Sequence, residues 1–286
     1  MALLQVFDNQ LHKLPLQKLL FLVTRYQQDK AYDFVPYKYG CFSFQAVADL
    51  STLKKYSKIT DSDDCYRNIS GEDYMGQLKP HDKSVILRVK NLYGNMTNDE
   101  LVKSTYLSYP YYAINSTIAE RILTPEQLAK VKQARPSKLK PVLFTIGYEG
   151  KTLETYINQL ILNDVKLLCD VRCNPLSMKF GFSKAQLQRS CESVGIQYVH
   201  TPEVGIKSDK RQELRTQADY NKLFIDYKDD TLKSTLHIQK YILSLLSDNK
   251  RIALTCFEAN VCQCHRKPLA EAISELPGWQ YELNHI

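Results

Sequence analysis

The stretch that decides the fold is Val142-Leu-Phe-Thr-Ile-Gly-Tyr-Glu-Gly150, a β-branched apolar run that stops abruptly in glycine and polar residues. Five consecutive apolar or β-branched positions do not alternate, so the run reads as a strand buried on both faces rather than one with a wet side. Outward from it, the same rhythm recurs. Thr152 to Leu162 has helical spacing, and Lys166-Leu-Leu-Cys-Asp-Val171 is a second buried run. Ser183-Lys-Ala-Gln186 fits a capping box and opens a helix closed by Gly195; Ile196-Gln-Tyr-Val-His200 is a third strand. A polar, charged segment from Gly205 to Asp230 precedes a helix from about Thr235 to Ser247. Then come Arg251-Ile-Ala-Leu-Thr-Cys256, a helix from about His265 to Glu275, and a last strand in Trp279 to Asn284. Continuous apolar runs alternating with amphipathic helices predict an α/β domain with a mostly parallel, doubly wound sheet over residues 142–286.

The boundary before this domain is Ala134-Arg-Pro-Ser-Lys-Leu-Lys-Pro141, where two prolines and three cations interrupt every period. Residues 135–141 read as a linker and residues 1–134 as a mainly helical domain. Pro15 opens a helix carrying Leu16, Leu19, Leu20, Val23 and Tyr26, and a second helix starts near Ser43. Thr97-Asn-Asp-Glu100 and Thr124-Pro-Glu-Gln127 are capping boxes. Between the first two helices, the aromatic segment Tyr32 to Phe44 suits a loop or small hairpin. Tyr32, Phe34, Tyr37 and Tyr39 in it have the chemistry to stack on bases, although aromatics in a hairpin usually pack on neighbouring helices.

Composition narrows the classes. The 286 residues are 44% hydrophobic and 24% charged, as in an ordinary globular chain, with too few glycines and prolines for a disordered one. No apolar run of about eighteen residues is present, so no membrane partner is expected. The N-terminus lacks the apolar core of a secretory signal, and the eight cysteines read as reduced thiols of a cytoplasmic protein. The net charge of +7 is uneven: residues 1–140 hold 20 Lys and Arg against 14 Asp and Glu, whereas residues 141–286 hold 18 against 17. A basic first half fits nucleic-acid contact or a solubilising surface.

Candidate functional residues gather where the strands stop. Tyr148 follows the first strand; Asp170, Arg172, Asn174 and Ser177 follow the second; Lys184 opens the next helix; His200 and Glu203 follow the third; Glu258 follows the fourth and leads to His265 and Arg266. In an open parallel sheet all these ends lie on one edge, where ligands bind. Asp170, His200, Glu203 and Glu258 are the catalytic candidates, the carboxylates as acid–base groups if burial raises their pKa. Arg172 and Arg266, with Lys184, His265, Asn174, Ser177 and Tyr148, are candidates for binding an anionic substrate, helped by the free amides of a helix start. The plain alternatives are an Asp170–Arg172 ion pair, turn chemistry at Asn174-Pro175 and a scaffolding histidine. Cys256, Cys262, Cys264 and His265 have a C-x-C-H core without the usual paired spacing of a zinc site, so no metal site is expected and the cofactor is unknown. Six residues before Arg266 stands Asn260 rather than cysteine, which excludes a phosphatase thiolate loop, and Gly147 to Gly150 matches no nucleotide-binding glycine motif.

Thr145-Ile-Gly-Tyr-Glu-Gly150, Asp170-Val-Arg172, Asn174-Pro175, Ser177, Gly181-Phe-Ser-Lys184, Gly195-Ile196, His200, Pro202-Glu203, Gly205, Cys256-Phe-Glu258 and Cys264-His-Arg266 together resemble the domain of unknown function 488 family. The resemblance runs from about Pro141 to the closing Asn284-His-Ile286 and implies a compact α/β fold with a shared polar crevice, but no reaction. Met178 stands where the family commonly has arginine, and residues 259–263 lack the acidic character often seen there. Lys18-Leu-Leu-Phe21 with Tyr37-Lys-Tyr-Gly-Cys-Phe-Ser43 is similar to the winged-helix-like front end of some family members, and to the antitoxin-associated Panacea domain. That resemblance implies a module binding a protein partner or nucleic acid. The combined expectation is an enzyme acting on a phosphate-containing nucleotide or nucleic acid, a hydrolase of phosphoester or N-glycosidic bonds. The competing expectation is a non-catalytic regulatory module that binds DNA or a partner and senses an anionic ligand.

Overall fold

A computed structural model describes residues 1–207, 210 and 214–286, and the chain divides into two compact units, residues 1–135 and 136–286. In the first unit, helix α1 (Ala2–Val6) and strand β1 (Gln10–His12) lead into α2 (Lys13–Tyr26). Helix α2 starts two residues before Pro15, which lies in the first turn where a missing amide hydrogen leaves no bond unmade. The aromatic segment forms a hairpin, β2 (Val35–Tyr37) against β3 (Gly40–Phe42). Within it Tyr37 stacks on Phe42, and both rings pack edge-on to Phe44. The Ser43 hydroxyl accepts from the Ala46 amide and caps α3 (Phe44–Lys55).

Strands β4 (Ile59–Ser62) and β5 (Cys65–Asn68) form a second hairpin, and β1 extends it to an antiparallel sheet ordered β1-β5-β4. Neither strand is legible from hydrophobic pattern, because ITDS and CYRN are short and polar. The turn signal is Asp63-Asp64, both at positive φ (52° and 60°), the backbone that a two-residue hairpin requires. Helices α4 (Pro80–Tyr93), α5 (Asn98–Ser108), α6 (Ala119–Ile122) and α7 (Pro125–Ala134) follow, and both expected capping boxes, at Thr97 and Thr124, are made. Leu19, Phe21 and Leu22 of α2 meet Val85 and Val89 of α4 and Leu101 of α5 in the core.

The second unit is a five-stranded, all-parallel sheet ordered β10-β6-β9-β7-β8. Its strands are β6 (Val142–Gly147), β7 (Leu167–Asp170), β8 (Gln197–His200), β9 (Arg251–Cys256) and β10 (Glu282–His285). The connecting helices are α8 (Leu153–Leu162), α9 (Lys184–Ser193), α10 (Gln217–Tyr227), α11 (Leu236–Asn249) and α12 (Arg266–Ser274). Leu143, Cys169 and Leu254 point to one face, against Ile242 and Leu246 of α11 and Leu269 and Ile273 of α12. Thr255 points to the other, where its hydroxyl accepts from Tyr156 of α8.

Two expectations need correction. The charged stretch between Gly205 and Asp230 contains helix α10, started by a capping box between Thr216 and Asp219; residues 208, 209 and 211–213 of that stretch lie outside the described residues. At Ser183 the box is not made: its hydroxyl donates to the Gln186 side chain instead of accepting from a backbone amide.

Candidate functional site

All strands of the second unit run the same way, so Gly147, Asp170, His200 and Cys256 end on one edge of the sheet. The candidate residues there fall into separate groups. Asp170 and Thr255 are register partners and share the α8 face. Leu254 belongs to the α11–α12 face, and Cys256, two residues on, follows it.

On the α8 face, the fully buried Asp170 carboxylate takes Arg172 in a fork, Nε to Oδ1 at 2.8 Å and Nη2 to Oδ2 at 2.5 Å. The Arg172 amide also donates to Oδ1, and the Tyr198 hydroxyl donates to Oδ2 at 2.6 Å. Arg172 Nη1 donates to the Tyr148 hydroxyl at 2.9 Å and to the Phe182 carbonyl at 2.8 Å. Tyr148 lies flat on Phe182, centroids 4.3 Å apart, with Phe257 edge-on. Burial opposes the charge on Arg172, but the Asp170 carboxylate outweighs it and holds the guanidinium pKa above its ordinary value. Burial first, and then the same carboxylate, push the Tyr198 phenol up. Asp170 and Arg172 therefore form a desolvated, mutually neutralised pair braced by two tyrosines.

His200 and Lys184 adjoin this pair. His200 Nε2 lies 2.9 Å from the Arg172 carbonyl, which can only accept, so that nitrogen carries the proton. Nδ1 is then an acceptor for the Lys184 ammonium at 3.0 Å. Lys184 is exposed at the first position of α9. Asn174 and Ser177 perform turn chemistry, accepting from the amides of Leu176 and Lys179. Glu203 is exposed and lines a different recess of about 610 Å³, with Cys173, Lys207, Asp226 and Tyr227.

Beside Cys256 a further group forms. The Cys256 thiol donates to Glu258 Oε2 at 3.1 Å and lies 3.7 Å from His265 Nδ1. His265 Nε2 donates to the Val171 carbonyl at 3.0 Å. Cys264 is 1% exposed and His265 0%. Burial, and then its hydrogen bond with Cys256, push the Cys264 thiol well above its ordinary pKa. Arg266, 2% exposed, reaches the carbonyls of Glu258 (2.5 Å) and Ala259 (3.2 Å), while its Nε is buried without a partner. Arg266 thus holds the loop after β9.

The edge does not gather Asp170, Glu203 and Glu258 about one point; it pairs Asp170 with Arg172 and sets Glu258 among thiols and an imidazole. Tyr198 joined these groups without being read as a site residue, and Cys256 and Cys264 had been weighed only as ligands of a zinc site that was not expected. Tyr198 shares a face of β8 with His200, and its aromatic type two positions earlier was the available signal; for Cys256 it was its place as the last residue of a buried strand.

Comparison with known proteins returns one family. No curated protein and no solved structure matches the chain. Residues 152–273, which span helices α8 to α12, match the family described as "Domain of unknown function DUF488".

Proposed function

We propose that the second unit is an enzyme acting on a phosphate-bearing substrate, a nucleotide or nucleic acid, received at the carboxyl edge of the sheet. The observation that carries this reading is the Lys184–His200 contact. The ammonium is exposed, and its hydrogen bond goes to a neutral imidazole rather than a carboxylate. It stands at the start of a ten-residue helix, whose dipole adds to its attraction for an anion. Asp170 and Arg172 cancel each other's charge, and Lys184 is an exposed cation beside them. Glu258, half-buried beside Cys256, is the better-placed acid–base group; Glu203 is solvated. The chemistry is hydrolysis, of a phosphoester or an N-glycosidic bond.

The test is calorimetric titration of the full chain with a nucleoside monophosphate, followed by turnover of a labelled single-stranded oligonucleotide. Lys184→Ala should weaken binding at least tenfold, and Glu258→Gln should remove turnover while sparing binding. Absence of binding by the unaltered protein defeats the reading.

A second reading has its own support. Every oxygen of Asp170 is engaged by Arg172 or Tyr198, which suits a rigid regulatory scaffold better than a reacting carboxylate. In that case the basic first unit contacts DNA or a partner, and the β4–β5 hairpin, which follows α3 in the chain, serves as the wing. DNA held through phosphates by the first unit should dissociate steeply with salt and should be as tight in Lys184→Ala as in the unaltered protein, so titrations of both proteins at two ionic strengths separate the readings.

A further inference from the structure

Cys256, Cys264 and His265 present Sγ, Sγ and Nδ1 within 4.8 Å of one another, all three residues buried. The C-x-C-H core in the sequence lacks the usual paired spacing of a zinc site, and the three residues meet because the loop after β9 leaves the sheet and returns Cys264 and His265 to the strand end. The 3.7 Å between Cys256 Sγ and His265 Nδ1 matches the edge of a tetrahedron about 3.6 Å long, set by Zn–S near ~2.3 Å and Zn–N near ~2.1 Å. The imidazole is already oriented. Its Nε2–H is spent on the Val171 carbonyl, so Nδ1 offers its lone pair toward the sulfurs, as a backbone carbonyl does for metal-binding histidines in general.

We propose that these three residues bind one zinc ion, independently of whether the unit is an enzyme. Two thiolates and an imidazole are soft and borderline ligands that select zinc over magnesium or calcium. The charges balance: two thiols lose two protons and the two thiolates neutralise the dication. Glu258, already accepting from the Cys256 thiol at 3.1 Å, is placed to take that proton on its way to solvent. Three protein ligands leave a fourth position for water or for Glu258. A cavity of about 120 Å³ adjoins the group, lined by Glu258, His265, Tyr220 and Phe224.

The experiment is cobalt(II) and zinc(II) titration of the reduced full chain. Cobalt should bind one-to-one with release of two protons, with sulfur-to-metal charge transfer in the near ultraviolet and strong ligand-field bands in the visible, and zinc should displace it without further proton release. C264S and H265A should lose more than the about 10–100-fold that losing an outer-shell partner costs, whereas C262S, at the exposed neighbouring thiol, should bind as the unaltered protein does. Circular dichroism checks that the variants are folded. Should C264S or H265A unfold, the unaltered protein decides: no thiolate charge-transfer band overturns the proposal. So does a loss in C262S equal to that in C264S, or a bound ion without proton release.

Discussion

Arg172 folds back two residues along its own chain to close a fork on Asp170, with both carboxylate oxygens taken at 2.8 and 2.5 Å. The pair is 0% and 5% exposed, so each charge depends on the other. Removing one partner strands the survivor in a dry site, which typically costs about 3–5 kcal/mol, whereas removing both restores a neutral interior.

Asp170→Asn should therefore lower the thermal midpoint sharply, and the double variant Asp170→Asn, Arg172→Met should recover much of the loss. A double variant as unstable as the sum of the singles would show that the two residues do not act as a pair.

Tyr148→Phe keeps the ring stacked on Phe182 but removes the oxygen that accepts from Arg172 Nη1, whose other acceptor, the Phe182 carbonyl, remains. A loss of about 1–2 kcal/mol in a urea titration is expected. Tyr148→Leu, which also removes the stacking, should lose more.

Gly147 tests how closely the loop after β9 crosses β6. A β-carbon there would stand 1.9 Å from the Glu258 carbonyl and 3.2 Å from Arg266 Nη1, both part of the contact that fixes the loop. Gly147→Ala should displace the loop and lower the thermal midpoint by several degrees, with weaker cobalt binding as a second readout. A variant of unchanged stability would mean that the loop is not held there.

Lys18 gives a pH test in the first unit. Its ammonium is 1% exposed and donates to the Cys41 carbonyl at 3.1 Å; burial lowers its pKa from the ordinary value of 10.5. A folded pKa below the unfolded one means that the unfolded chain binds the extra proton, so stability rises with pH through the window that ends at 10.5 and falls as pH drops through the folded value. Unfolding midpoints of the protein with Lys18 and of Lys18→Met, compared at pH 7.5 and pH 10, should show the former gaining on the variant at the higher pH. The tyrosines titrate in both proteins and cancel, and both carry Cys41→Ala, because the lysine lowers that thiol's pKa. A difference independent of pH would show that the lysine is not desolvated in the fold.

The second unit was readable because its strands are buried on both faces, so hydrophobicity alone marked β6, β7 and β9, and glycine, Thr152 and the later helices punctuated them. The first unit's sheet was not, since Ile59–Ser62 and Cys65–Asn68 hold their places by backbone pairing and an Asp-Asp turn rather than by apolar side chains. Helix α10 was hidden in the same way, by a polar surface that conceals a weak apolar stripe. Among the site residues, the two-residue spacing of Asp170 and Arg172 left both a shared ligand and a mutual ion pair open, and the structure shows the pair. The meeting of Cys256 with Cys264 and His265 did not, because it depends on the path of a loop with no periodicity.

The strand order has a consequence for how the second unit forms. Its central pairing joins Val142 to Arg251, while β7 and β8, made in between, lie to one side of that seam. The sheet cannot acquire its middle until β9 has been synthesised, so β6 must wait as an unpaired apolar segment on a growing chain. Contacts this distant along the chain are slow to form, and the waiting strand is the stretch that a chaperone would have to shield.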